Sequence, residues 1–155
     1  MPAHNNILLH LTLQPAPGSN LPAHDIGPEL AAYVRALLDN LEASPIAIGA
    51  TSTELTIVAP LPICMSTAHL VFCIKRGTER WLTQQCTAQR AFLWAPGFRA
   101  LSVDRASLAA LIRGLQDRAT YCEPPNFDAQ PSEPQARNDY EHPPRSKSSD
   151  QPATN

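Results

Sequence analysis

An α+β fold, with an antiparallel sheet and helices packed on one side of it, is what this sequence predicts. Short apolar runs alternate with longer stretches of helical period, and their order along the chain is strand, helix, hairpin, helix, strand, helix. A length of 155 residues with 43% hydrophobic content suits a single core. Seven of the sixteen prolines fall in residues 122–155, where almost nothing apolar follows Phe127. Such a segment cannot bury enough surface to offset chain entropy. The expected division is a folded domain over 1–121 and a disordered, proline-rich tail over 122–155.

The first element is NNILLHLTL (5–13), an apolar run that ends at PAPGSN and suits a buried strand. His10 inside it reads as a packed histidine. From Pro28, GPELAAYVRALLDNLEA has proline at a helix start, Glu29 in the first turn, and Leu30, Tyr33, Val34, Leu37, Leu38 and Leu41 at helical spacing. Tyr33 belongs to the core side of that helix.

Pro45 ends the helix. PIAIGATSTELTIVAPLP then reads as a hairpin, two apolar runs about a turn region containing Gly, Thr and Ser. Residues 66–85 begin with a Ser cap and set Leu70, Ile74 and Trp81 on one face, with Lys75, Arg76, Glu79 and Arg80 largely away from it. FLWAPGFRALSV (92–103) is aromatic and β-branched about a Pro-Gly turn, and predicts a bent or edge strand. Asp104 caps a last helix with Leu108, Leu111, Ile112 and Leu115 as its apolar stripe.

Composition excludes several classes. No apolar run approaches the roughly 18 residues of a membrane-spanning helix, and no charged, apolar and small-residue leader opens the chain, so a cytoplasmic protein off the membrane is expected. Cys64, Cys73, Cys86 and Cys122 lack CxxC spacing and read as reduced thiols in packing roles. His4, His24, His69 and His142 form no metal spacing. Net charge is −2, but residues 1–121 hold nine Lys/Arg against eight Asp/Glu, whereas the tail holds three against six. The folded part is therefore close to neutral.

The stretches Ile48–Trp81, Phe92–Val103 and the final helix to Phe127 together resemble the insertion-sequence-200-like transposases, also called single-tyrosine HUH transposases. In that family an IGG segment leads into a strand bearing His-hydrophobic-His, then an LP turn, a Ser-started helix with a Lys, and SRWL. The counterparts here are Ile48-Gly49, Glu54-Leu55-Thr56, Leu61-Pro62, Ser66, Lys75 and Glu79-Arg80-Trp81-Leu82, without a gap. The family's Trp and its GYGAFSVS strand match Trp94 and Gly97–Asp104. Its nucleophilic Tyr and the Gln four residues on match Gly114 and Arg118, and its later Phe matches Phe127.

The resemblance implies a ferredoxin-like sheet, single-stranded or hairpin DNA as partner, and a homodimer. It also implies a site in which two histidines and a third polar ligand hold Mg²⁺ or Mn²⁺ while the tyrosine hydroxyl attacks phosphorus. All four of those positions are replaced. Glu54 and Thr56 stand for the histidines, Arg118 for the Gln and Gly114 for the nucleophile.

Glu54 is an oxygen donor, and Thr56 shares its strand face because side chains repeat every two residues. Arg118 puts a permanent positive charge where a cation would sit. Gly114 supplies no hydroxyl. The expectation is a degenerate member with no catalytic residues, no metal and no cofactor, which binds DNA through Lys75, Arg76, Arg80, Arg99 and Arg118. Arg90 is a possible neighbour of these, and Trp81 and Trp94 read as core rather than base-stacking residues. Two alternatives compete: an active transposase that uses Glu54 and a displaced tyrosine such as Tyr121, and a dimeric interaction module that no longer meets DNA.

Overall fold

The computed structural model describes residues 7–85 and 91–126. Its elements are β1 (Leu8–Leu13), α1 (Ala23–Asn40), β2 (Ala47–Ala50), β3 (Leu55–Pro60), α2 (Thr67–Gln85), β4 (Arg99–Val103), α3 (Arg105–Arg118) and β5 (Tyr121–Cys122). The strands form one antiparallel sheet in the order β4-β1-β3-β2-β5. The run from β1 to β4 is a ferredoxin-like βαββαβ unit, to which α3 and β5 are added.

Each element starts where its local chemistry allows. In α1, Ile26 departs from helical dihedrals (φ −127°, ψ 24°), so the regular helix begins around Pro28, whose missing N–H costs nothing in a first turn. The Ser66 hydroxyl accepts from the His69 N–H at 3.1 Å at the start of α2, and an Asp104 carboxylate oxygen accepts from the Ala106 N–H at 3.2 Å at the start of α3. β4 is an edge strand, as expected, although it begins only at Arg99. The 92–98 stretch before it is loop, tied to the Pro15 region by an isolated bridge from Trp94.

Strand alternation sorts the core into two clusters. Leu9, Leu11 and Leu13 of β1 lie with Leu55, Ile57 and Ala59 of β3 under α1 and α2. There Tyr33 stacks on Trp81 (5.2 Å between centroids, 15° between planes) and donates its hydroxyl to the Gly77 carbonyl. Leu8, Val58 and Ala47 point the other way, against Leu108, Ile112 and Leu115 of α3.

The α+β antiparallel architecture therefore holds, with one correction. Two helices gather on one side, and α3 lies across the opposite face. The physical reason is in β3, where LTIVAP is buried at all six positions. A strand that is apolar on both faces needs cover on both.

The expected boundary after residue 121 falls inside β5. Cys122 is in register with Gly49, and the N–H groups of Glu123 and Asn126 donate to the carbonyls of Ile48 and Ile46. Residues 122–126 are thus part of the sheet's hydrogen-bonded edge. The rest of the expected tail lies outside the described residues, as do Phe127, Arg90 and Cys86. Of the remaining thiols, Cys64 is exposed rather than packed. Among the described residues no helix is long and apolar enough to cross a membrane.

Candidate functional site

α3 covers only part of its face of the sheet, and the uncovered part is a cleft. On β1, Leu8 is under the helix, while His10 and Thr12 stand beyond it with Gln14 next in the alternation. On β3, Val58 is covered and Thr56 is not, with Glu54 immediately before the strand. β4 brings Arg99 into register with Thr12. The resulting cavity, of about 370 Å³, is lined by these residues together with Arg118 at the end of α3 and the loop Ala95–Phe98.

The loop is a built wall. From α2, the Lys75 ammonium donates to the carbonyls of Ala95 (2.8 Å) and Gly97 (2.5 Å), and a Glu79 carboxylate oxygen accepts from the Trp94 N–H at 3.0 Å. The buried Trp94 indole donates to the Thr78 hydroxyl at 2.8 Å, which in turn donates to the Ile74 carbonyl at 2.6 Å. Phe92 meets Trp94 edge to face, with centroids 4.9 Å apart. At the turn, Gly97 has φ +82°, a conformation that L side chains rarely adopt. Lys75, Glu79 and Trp94 thus clamp the segment that forms one side of the cleft.

The residues singled out by sequence divide accordingly. Glu54, Thr56, Arg99 and Arg118 converge on the cleft, the first two on one face as their spacing predicts. Lys75 stands behind its wall, engaged with loop carbonyls. Arg76 and Arg80 are exposed on α2, which packs on the opposite face of the sheet.

Gly114 lies one turn before Arg118, whose Nε donates to the Gly114 carbonyl at 3.1 Å. Tyr121, the alternative tyrosine, does not line the cleft. It lies in β5 beyond the end of α3, and its Cβ sits 2.7 Å from where a Cβ on Gly27 would be, against α1 on the far face.

His10 is the residue that sequence reading missed. It lines the cleft rather than the core. Burial holds its pKa below the usual 6.5, with the Arg99 and Arg118 guanidiniums adding to the depression and Glu54 opposing it. The signal was available in β1, where Leu9, Leu11 and Leu13 alternate with His10, Thr12 and Gln14. A period of two assigns the polar set to one face.

The donor set does not suit a divalent cation. Mg²⁺ wants several oxygen ligands with carboxylates among them, whereas this cleft offers one carboxylate beside the neutral donors of His10, Thr12, Gln14 and Thr56, and adds two guanidiniums that oppose a cation. Among the described residues no group of three or more His, Cys, Asp and Glu side chains is placed to hold a metal ion.

No family model matches the chain, and no curated protein matches it. Among solved structures, a "putative transposase" from Deinococcus radiodurans R1 superposes with a TM-score of 0.57 at 12% identity, over 78% of this chain and 100% of that one. The chain shares the fold of that protein. A REP-associated tyrosine transposase bound to a REP hairpin superposes at 0.48, with 12% identity, over 70% of this chain and 62% of that one. A bacterial tRNA(His) guanylyltransferase-like protein in complex with GTP gives 0.49 at 10% identity, over 76% and 64%. In this fold the Glu54, Thr56 and Arg118 cleft lies where α3 leaves part of the sheet uncovered.

Proposed function

We propose that this protein binds single-stranded, hairpin-forming DNA on a transposase scaffold and does not cut it. The observation that carries the reading is the cleft itself. Three of the four positions that the family resemblance assigns to chemistry line it, as a carboxylate, a hydroxyl and a guanidinium, and the fourth, one turn before Arg118 on α3, is a glycine. Without a hydroxyl at 114 the nucleophile that the family resemblance implies is missing, and with Arg118 at the ligand position a cation is repelled rather than held. Arg99 and Arg118 supply the positive charge by which a DNA backbone is neutralised.

The convergence of two of the five proposed DNA contacts on one cleft favours DNA binding over an interaction module with scattered charge. The dimer that the resemblance implies forms in this reading through β4, an edge strand that carries the exposed Leu101 beside the exposed Phe98. Sedimentation of the full chain tests it.

Binding of a labelled hairpin oligonucleotide across a salt titration tests the function, with affinity falling steeply as salt rises. Absent or salt-insensitive binding overturns it. Incubation of the same hairpin with Mg²⁺ or Mn²⁺, followed by denaturing electrophoresis, is expected to show neither a nick nor a protein adduct.

A further inference from the structure

We infer that the cleft is an anion site: Arg99 and Arg118 hold one phosphate group of a bound strand directly, with no divalent cation between protein and phosphate. The inference rests on the DNA-binding reading and deepens it, because it names the group held and the atoms that hold it.

Pairing is the first argument. Among the described residues the ion pairs are His24 with Asp25 and Arg35 with Glu123, so neither Arg99 nor Arg118 is paired, although Glu54 lines the same cleft. Two guanidiniums that pass over a nearby carboxylate leave their positive charge directed at whatever enters. Arg118 is also oriented. Its Nε is committed to the Gly114 carbonyl, which sets the plane of the guanidinium and leaves the terminal N–H groups free for a planar, two-point grip on phosphate oxygens.

Gly114 anchors this posture through its carbonyl and leaves the helix surface beside it open. A Cβ there would meet nothing within 4 Å, so the space a larger side chain would fill is open beside Arg118.

The surroundings agree. At His10 the guanidiniums of Arg99 and Arg118 each outweigh the carboxylate of Glu54, so the field on the cleft floor is positive on balance. Glu54 repels an anion placed against it, so a phosphate is held at the guanidiniums rather than at the carboxylate. The hydroxyls of Thr12 and Thr56 and the amide of Gln14 add neutral donors. A cavity of about 370 Å³ is within the size of small-molecule sites and admits a phosphate with its sugar.

The test uses the full chain, a fluorescent hairpin oligodeoxynucleotide and inorganic phosphate. Hairpin affinity should be unchanged by EDTA at constant ionic strength. Arg118→Gln and Arg99→Gln should each weaken it by about tenfold and lower the slope of log affinity against log salt by about one. Arg113→Gln, exposed on α3 and outside the cleft lining, serves as the control and should leave that slope nearly as it was. Inorganic phosphate should move the His10 ring resonances in the native protein and not in the two cleft variants, whose circular dichroism shows whether they remain folded.

If the hairpin binds but EDTA abolishes binding, or if neither cleft variant alters the salt slope, the anion site is wrong while DNA binding stands. If phosphate moves His10 yet no hairpin binds, the anion site stands and the DNA reading falls. If neither ligand registers, both fall.

Discussion

Arg118 turns back over Gly114, donating from Nε to the glycine carbonyl at 3.1 Å, while an added Cβ at Gly114 would touch nothing within 4 Å. The carbonyl of Gly114 thus orients the guanidinium at the rim of the cleft, and the helix surface beside it stays open.

Gly114→Ala tests the openness of that space. Glycine in a helix interior costs about 1 kcal/mol relative to alanine, and here the methyl group meets no obstacle. Urea denaturation should show the variant more stable by about that amount, with an unchanged m-value. A destabilised variant would mean that the helix is packed at this point.

Gly27→Ala should do the opposite. The new Cβ would lie 2.7 Å from the Cβ and 2.9 Å from the Cγ of Tyr121, and a Cβ cannot move aside without its backbone. Overpacking of this kind costs about 1–3 kcal/mol, and the same denaturation measurement reads it. A neutral result would show that β5 slides freely against α1.

His10 makes acid stability a readout of the cleft. Its pKa is held below 6.5 by burial first and then by Arg99 and Arg118, with Glu54 acting against them. The unfolded chain therefore takes up the proton before the folded one does. Stability from this residue is full above 6.5, declines as pH falls below that value and levels off under the folded pKa. His10→Asn should lose less stability than the native protein between neutral pH and about pH 5 in parallel denaturation curves. Equal losses in the two proteins would remove His10 as the cause.

Arg35 on α1 grips Glu123 with two hydrogen bonds, Nε to Oε1 and Nη2 to Oε2, both 2.8 Å, and so fastens the segment after β5 to the helix. Both side chains are about a fifth to a quarter exposed, so solvent screens the pair in part. Glu123→Gln should cost about 1 kcal/mol at low salt, shrinking as salt is raised, because one charge remains and the geometry is bidentate. Thermal melts across a salt series check it, and a salt-independent loss would point to packing instead.

Local chemistry in the chain was enough for every element but β5: the Ser66 and Asp104 caps, the Pro28 helix start, the edge character of the stretch ending at Val103, and the shared face of Glu54 and Thr56. These depend on contacts a few residues apart, which the order of side chains states directly. The same alternation in β1 separated His10 from its leucine neighbours, but a polar face alone does not say whether a helix will cover it.

Only the tertiary structure decided that α3 crosses to the other side of the sheet and stops short, because that depends on which of two apolar faces is left for it after α1 and α2 are seated. The same folding step sent Arg99 and Arg118 to one cleft, left Arg76 and Arg80 outside it, and turned Lys75 inward to hold a loop. Charges far apart in sequence combine only when strands and helices bring them within reach. The residue types present were therefore legible beforehand, and their division into contact, support and surface was not.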